Sequence, residues 1–376
     1  MIRMARPAST GFRSIASVLV HEYVTGGGLA GQDRAASWRA EGAAMRRAVA
    51  DDLAAAGCLV TMTLDVRDQN DEPGPRPHQV VPVGKGQERE ILLGLAQRHD
   101  ATLIIAPETA GVLADRALWL ERTGARSLGS SSRAVALATD KRRVARLLRA
   151  AGLATPPDRV IDTTIDHVID PEIFHDLRAL SDGSVVVKPI DGAGSLDSYR
   201  VDGPRLAVPA ALRDAGVMIV QPWLRGVPLS ASFLVGAAGR VTLIGVGRQD
   251  IRVDAEGRIT YEGGSVPYGS PRLARDAARA VRAVPGLAGW VGVDFLWDGH
   301  GPPVILDVNP RLTTSFVGLS RALPPGTLAR ALLASRGVGG AVRSRPSNLA
   351  RRVHRRRAPV LFTPDGHARD HAPSGP

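Results

Sequence analysis

The chain has 376 residues, 44% hydrophobic and 23% charged, an ordinary globular composition with length for two or three packed lobes. It has no apolar run near the roughly 20 residues of a membrane span, and its lone cysteine, Cys58, excludes a disulfide framework and fits a reducing, cytoplasmic setting. The net charge of +11 suggests nucleic acid only until it is located: Arg3, Arg6 and Arg13 supply three charges, and residues 341–376 carry eight arginines against two aspartates.

Residues 1–16 read as a disordered extension and residues 337–376, which lack periodicity, as an Arg-rich disordered tail. Between them, the apolar run Ile15-Ala16-Ser17-Val18-Leu19-Val20 predicts a buried strand, and residues 23–28 a glycine turn. An Ala- and Arg-rich stretch at 33–56 predicts a helix stopped by Gly57, followed by a strand at 58–64 and a polar Pro-rich loop at 68–78. A helix at 87–99, a strand at 102–106 and a helix at 111–123 continue the alternation. Alternating strands and helices imply a parallel sheet, hence a Rossmann-like α/β lobe over 17–129.

Residues 132–151 predict one strong helix, with Ser130 to Ser132 as caps and Gly152 as its stop. Thr155-Pro156-Pro157 breaks the chain. Strands at 184–188, 217–221, 231–234, 240–247, 291–297 and 303–308, with a helix at 272–283, suggest an antiparallel or mixed sheet covered by helices. The fold class is thus α/β, turning α+β in the C-terminal part, with a second domain over 130–336.

Lysine is scarce: of 48 basic residues only Lys85, Lys141 and Lys188 are lysines, so each marks a place where the planar arginine fork would not serve. The strand Val185-Val186-Val187-Lys188 runs into Pro189-Ile190-Asp191-Gly192-Ala193-Gly194-Ser195. Backbone N–H groups at such a glycine turn can approach phosphate oxygens, with the lysine charge beside them. Further on, Asp294 stands alone in an apolar strand, and Asp307 and Asn309 are two apart on another, so their side chains share a face. If the two strands pair, two carboxylates and an amide oxygen form a hard-oxygen set suited to Mg²⁺ or Mn²⁺. Arg311 adds a fork for phosphate or a developing acyl phosphate.

Asp140-Lys141, the Val-Lys-Pro strand with its glycine loop, the acidic strand residue and the acid-x-Asn pair together resemble the ATP-grasp superfamily over roughly residues 130 to 319. The resemblance implies an ATP-grasp fold of two lobes over 130–336, behind a pre-ATP-grasp lobe over 17–129. It implies that Lys141 and Lys188 contact the phosphates of ATP, that Gly192, Gly194 and Ser195 close over them, and that Asp294, Asp307 and Asn309 hold the metal. Residues 217–224 look like the hinge that meets adenine, with Gln221, Trp223 and Leu224 at the base. Four further stretches are similar to tyramine–glutamate ligase-type proteins of methanofuran biosynthesis: His21-Glu22-Tyr23-Val24-Thr25-Gly26-Gly27-Gly28, Ala106-Pro107-Glu108-Thr109, Leu128-Gly129-Ser130-Ser131 and the run from Asn309 to Leu319. That likeness implies ligation of glutamate to tyramine or tyrosine, with Gly27, Gly28, Thr313 and Ser315 near the substrates. Departures are Asp307, where the family often has Glu, the absence of an acid in Gly226-Val227-Pro228-Leu229-Ser230 to bind ribose, and Pro222, which removes a hinge donor.

The expected activity is ATP-dependent carboxylate–amine ligation through an acyl phosphate, with Lys188 and Arg311 as catalytic charges. Its partners are small-molecule carboxylates and amines, with no membrane or nucleic acid and with homodimerisation open. Cys58 and His21 are expected to be structural. The competing readings are a ligase for another amino acid or dipeptide, a non-catalytic ATP-binding regulator, and a dinucleotide-binding enzyme. The last rests on Gly26-Gly27-Gly28-Leu29-Ala30-Gly31, which matches G-x-G-x-x-G, with Asp65 as its ribose acid.

Overall fold

The computed structural model describes residues 15–71, 78–165, 169, 175–177, 180–181, 183–192, 197–202, 207–338 and 348–370. The expected N-terminal extension falls almost wholly outside them.

The first lobe is a parallel sheet of β1 (Ser17–Glu22), β2 (Leu59–Asp65), β3 (His78–Val83) and β4 (Ala101–Ile105), in the order β3-β2-β1-β4. Helices α1 (Ala36–Ala55), α2 (Glu88–Ala96) and α3 (Val112–Thr123) cover it. Alternation along β1 sends Val18 and Val20 to one core with Val49 and Leu53 of α1, and Leu19 to another with Leu92 and Leu120. Burial on both faces is why the run reads as continuously apolar.

The helix expected over 132–151 is two helices, α4 (Ser132–Thr139) and α5 (Lys141–Ala150). Asp140 leaves helical conformation (φ −79°, ψ 98°), and its carboxylate accepts the N–H groups of Arg142 and Arg143, both at 3.0 Å. The local side-chain cap outcompetes helix continuation. Lys141 therefore stands at the first position of a new helix.

Strands β5 (Arg159–Asp162), β6 (Val185–Pro189), β7 (Tyr199–Val201) and β8 (Val217–Pro222) form an antiparallel sheet, ordered β5-β8-β6-β7. The large sheet has seven strands, ordered β13-β12-β9-β10-β11-β14-β15. They are β9 (Val227–Val235), β10 (Val241–Val253), β11 (Ile259–Val266), β12 (Gly289–Trp297), β13 (Val304–Asn309), β14 (Val360–Phe362) and β15 (Ala368–Asp370). The last two correct the expected disordered tail. The helix Leu349–His354 buries Leu349 and Val353, and β14 buries Val360 and Phe362 while pairing with β11. Four apolar side chains spaced among arginines anchor the segment, and the arginine count hid them. Its charge is partly used: Arg356 pairs with Asp370 at 2.5 Å.

The lobes share a core. Val49 and Leu53 of α1 belong to the same cluster as Trp290, Phe316 and Leu332. Asp52, inside α1, accepts the N–H groups of Gly326 (2.5 Å) and Ala329 (2.6 Å), capping the helix Thr327–Ser335 from across the interface.

Candidate active site

A cavity of about 360 Å³ lies between the small antiparallel sheet and the seven-stranded one. One wall carries Lys188 of β6 and, from β8 and the residues after it, Gln221, Trp223 and Leu224. Register places Val186 opposite Gln221 and Lys188 opposite Ile219, which brings the lysine strand against β8. Past Pro222, the Trp223 N–H donates to the Ser184 carbonyl at 3.0 Å, keeping the end of β8 tied to the residue before β6.

Two of the three lysines line the cavity; Lys85 is exposed elsewhere. Burial pushes Lys188 down to about 8, with Asp307 opposing the shift and Lys141 adding to it. Lys141 Nζ donates to the Gly192 carbonyl at 2.6 Å and pairs with Asp307 Oδ2 at 3.0 Å. The cap at Asp140 aims this lysine across to the loop after β6. Gly192 lines the cavity, while Gly194 and Ser195 lie outside the described residues.

The two carboxylates do meet. Strands β12 and β13 pair antiparallel with Asp294 opposite Asp307 and Gly292 opposite Asn309. Burial raises the Asp294 pKa, and the neighbouring Asp307 charge raises it further. Asn309 donates to Asp294 Oδ2 at 2.8 Å and Gln249 donates to Oδ1 at 3.1 Å. Two acids at one register position, one of them disfavoured as an anion, form a site that a divalent cation would relieve. With the Asn309 amide turned, its oxygen joins them, so this donor set fits Mg²⁺ or Mn²⁺. Among the described residues there is no cluster of three His, Cys, Asp or Glu side chains of metal-binding type. The set here instead relies on an amide.

Arg311, just beyond β13, reaches the cavity but is not free. Its Nε lies 2.9 Å from both oxygens of Glu108, which comes from the first lobe, and its NH1 donates to the Leu312 carbonyl at 3.2 Å. Burial opposes the Arg311 charge, but Glu108 outweighs it and the pKa rises. Thr313 and Ser315 also line the cavity. They are linked at 2.8 Å, with Ser232 2.9 Å from Ser315 and Trp290 donating to Thr313 at 3.3 Å.

Gly27 and Gly28 do not reach the cavity. A side chain at Gly27 would strike Val83 and one at Gly28 would strike the Tyr23 ring, so these glycines let the turn pack. The Glu22 carboxylate holds that turn by accepting from Val24 and Thr25. The dinucleotide reading finds no support in this geometry. Helix α1 starts only at Ala36, so no helix N-terminus opens at the glycines, and Asp65 is engaged by Arg67 at 2.8 Å and Arg34 at 3.7 Å. His21 is fully buried between Thr63 (2.8 Å) and Glu88 (3.1 Å).

Residues 138–315 match the ATP-grasp domain family, and residues 58–135 match the pre ATP-grasp 3 domain family. The chain belongs to the ATP-grasp superfamily. It is 27% identical over 223 residues to a tyramine–L-glutamate ligase of Methanocaldococcus fervens, covering 59% of this chain and 62% of that protein. The chain thus spans about three-fifths of the length of the tyramine–L-glutamate ligases it matches. It is also 30% identical over 212 residues to a D-alanine–D-alanine ligase of Gloeobacter violaceus, covering 53% of this chain and 68% of that one. An ATP-grasp superfamily protein from Archaeoglobus fulgidus has the same fold, with TM-score 0.62, 24% identity, and 87% and 90% of the two chains covered.

Among the residues at this ATP-grasp cleft that sequence reasoning did not pick out are Glu41, Gln249, Tyr261 and Phe362, which line it, and Glu108, which holds Arg311. Glu108 stood in a stretch that carried the family resemblance. Glu41 sits in an Ala- and Arg-rich helix, where an acid reads as a solvated charge, and Phe362 sits in the segment taken for a tail.

Proposed function

We propose that this ATP-grasp protein is an ADP-forming carboxylate–amine ligase that joins the γ-carboxylate of glutamate to tyramine or tyrosine, as in methanofuran-type cofactor synthesis. The observation that carries the ligase reading is the convergence in one cavity of Lys141, Lys188 and Arg311 with the facing acids Asp294 and Asp307. The glutamate–amine pairing is supported by similarity to the tyramine–L-glutamate ligases.

Lys141 and Lys188 offset the charge of the ATP phosphates, and Gln221, Trp223 and Leu224 flank the base. Asp294, Asp307 and the Asn309 oxygen would hold Mg²⁺ or Mn²⁺, which when bound supplies further neutralisation of phosphate charge. The substrate carboxylate attacks the γ-phosphorus, ADP leaves, and an acyl phosphate forms. Arg311, held by Glu108 at the cavity wall, stabilises its oxygens. The amine, having lost its ammonium proton, bonds through nitrogen to the carbonyl carbon, inorganic phosphate departs with the electron pair of the broken C–O bond, and the nitrogen gives up its further proton to that phosphate or to solvent. No protein nucleophile is needed; catalysis is positioning and electrostatics. Cys58, packed against the shared core, has no part in it.

The test is ADP release that requires both a carboxylate and an amine, with mass spectrometry of the product from ATP, L-glutamate and a pool of phenolic amines. A glutamyl amide is expected. A dipeptide instead would favour the second reading, an amino-acid ligase, which the D-alanine–D-alanine ligase similarity supports. Full activity in both Lys188→Ala and Asp307→Ala would sink the site assignment. Tight ATP binding without turnover across a broad amine panel would mark a non-catalytic protein.

A further inference from the structure

Part of the cavity wall is built by elements remote in sequence from the lysine and acid strands. Glu41 reaches it from α1 and Phe362 from β14; Tyr261 of β11 and Thr314 complete it. Glu41 and Phe362 both fall outside residues 138–315 and 58–135, the parts that match the two domain families.

The charges on the two parts of the wall differ in how they are used. Asp307 is balanced by Lys141, Asp294 accepts from Asn309 and Gln249, and Arg311 is taken by Glu108. Glu41 accepts one hydrogen bond, from the Thr314 hydroxyl at 2.5 Å; among the described residues no cation lies within ion-pair distance of it, and the Arg311 charge, itself held by Glu108, acts on it only from further off. It is only half-buried, and its side chain faces the cavity. Burial, and after it the charge of Glu41, pushes the Tyr261 phenol well above its usual pKa, so carboxylate and ring share one space. A half-buried carboxylate satisfied by a single hydroxyl favours a cation that can donate to it. The apolar faces beside it favour a ligand whose remainder is apolar or aromatic.

We infer that Glu41 binds the ammonium group of the incoming amine, and that Phe362 and Tyr261 form the wall against its apolar or aryl body. This rests on the ligase reading above. It assigns the acceptor, rather than the donor carboxylate, to the part of the cavity wall shared by α1 and β14. Glu41 is a binding residue here and takes no part in the phosphoryl-transfer half of the reaction.

The experiment separates the two halves. Hydroxylamine, small and uncharged at neutral pH, intercepts an acyl phosphate as a hydroxamate without needing an ammonium site. Wild type, Glu41→Gln and Phe362→Ala are assayed with ATP, Mg²⁺ and L-glutamate, against tyramine, methylamine or hydroxylamine. The Gln variant is expected to raise the KM for tyramine about 10- to 100-fold, the scale of a charged hydrogen bond, while hydroxamate formation stays within about twofold. Phe362→Ala is expected to raise the KM for tyramine more than that for methylamine. Hydroxamate and tyramide falling together in Glu41→Gln would overturn the assignment, because Glu41 would then serve the donor or the fold. An unchanged tyramine KM would overturn it as well. Wild type that forms hydroxamate but rejects tyramine would remove the aryl-amine part. Wild type that forms no hydroxamate from glutamate or any other amino-acid carboxylate would instead remove the ligase reading itself.

Discussion

Two parts of the cleft wall are built by different means. At the proposed phosphate site, the side chains come from within residues 141–311, and apart from Arg311, which Glu108 of the first lobe holds, neighbouring strands or a local cap position them: Asp294 faces Asp307 by register, and Asp140 aims Lys141. In the other part, Glu41, Tyr261, Thr314 and Phe362 arrive from an N-terminal helix, the middle of the large sheet, a helix start and a late strand. Local pairing fixes most of the first part, and long-range packing of the shared core fixes the second.

The largest effect that could break this contrast is at the paired acids. Asp294→Asn and Asp307→Asn should each lower kcat by at least about 10²- to 10³-fold with little change in thermal stability, checked by steady-state ADP release and calorimetry. A large stability loss with retained turnover would make the pair structural. Next is Arg311, where local and long-range positioning meet. Its ion pair with Glu108 is buried on both sides, 10% and 5% exposed. Arg311→Ala should lower kcat by about 10²-fold and cost roughly 3–5 kcal/mol of stability by stranding Glu108. Glu108→Gln in the same background should recover stability but not turnover.

A smaller effect concerns pH. Lys188, held at about 8, loses its charge as pH rises through that value. ATP affinity should fall above pH 8 by up to about tenfold per unit, and calorimetry in buffers of different ionisation enthalpy should show proton uptake on binding. Lys188→Arg should flatten the slope. The folding contribution runs the other way. The folded pKa lies below the unfolded one, so between them the unfolded chain binds more protons and stability rises with pH. A wild-type ATP affinity that does not change from pH 7 to 9.5 would detach Lys188 from the nucleotide. The smallest effect is at Asp140, whose replacement by Ala should cost about 1 kcal/mol and raise the KM for ATP a few-fold by loosening Lys141.

The proposed phosphate site was legible because its signals are short-range. A lysine ending a β-branched run and two residues spaced two apart on a strand are local patterns, and pairing did the rest. The break at Asp140 was less legible, since residues 132–151 have helical periodicity throughout and only the carboxylate's competition for two N–H groups splits them. Glu41 was invisible because only the fold distinguishes an acid facing solvent from one facing a cleft some 270 residues further along, at Thr314. The glycines at 27 and 28 misled for the converse reason. Their need was steric, set by Val83 and Tyr23, and carried no information about a ligand. The folded segment at 348–370 was hidden by composition, because six arginines in that stretch outweigh the four apolar residues that hold it.

The placement of β14 bears on how the reaction could come apart. This strand is the last in chain order to contribute a wall to the cavity, and it is held by pairing with β11. A stop codon or a proteolytic cut ahead of residue 360 would leave the lysines and the paired acids in place while opening the side where the acceptor is proposed to dock. The expected product is an uncoupled enzyme: it would still activate the carboxylate but lose the acyl phosphate to water, spending ATP without making an amide.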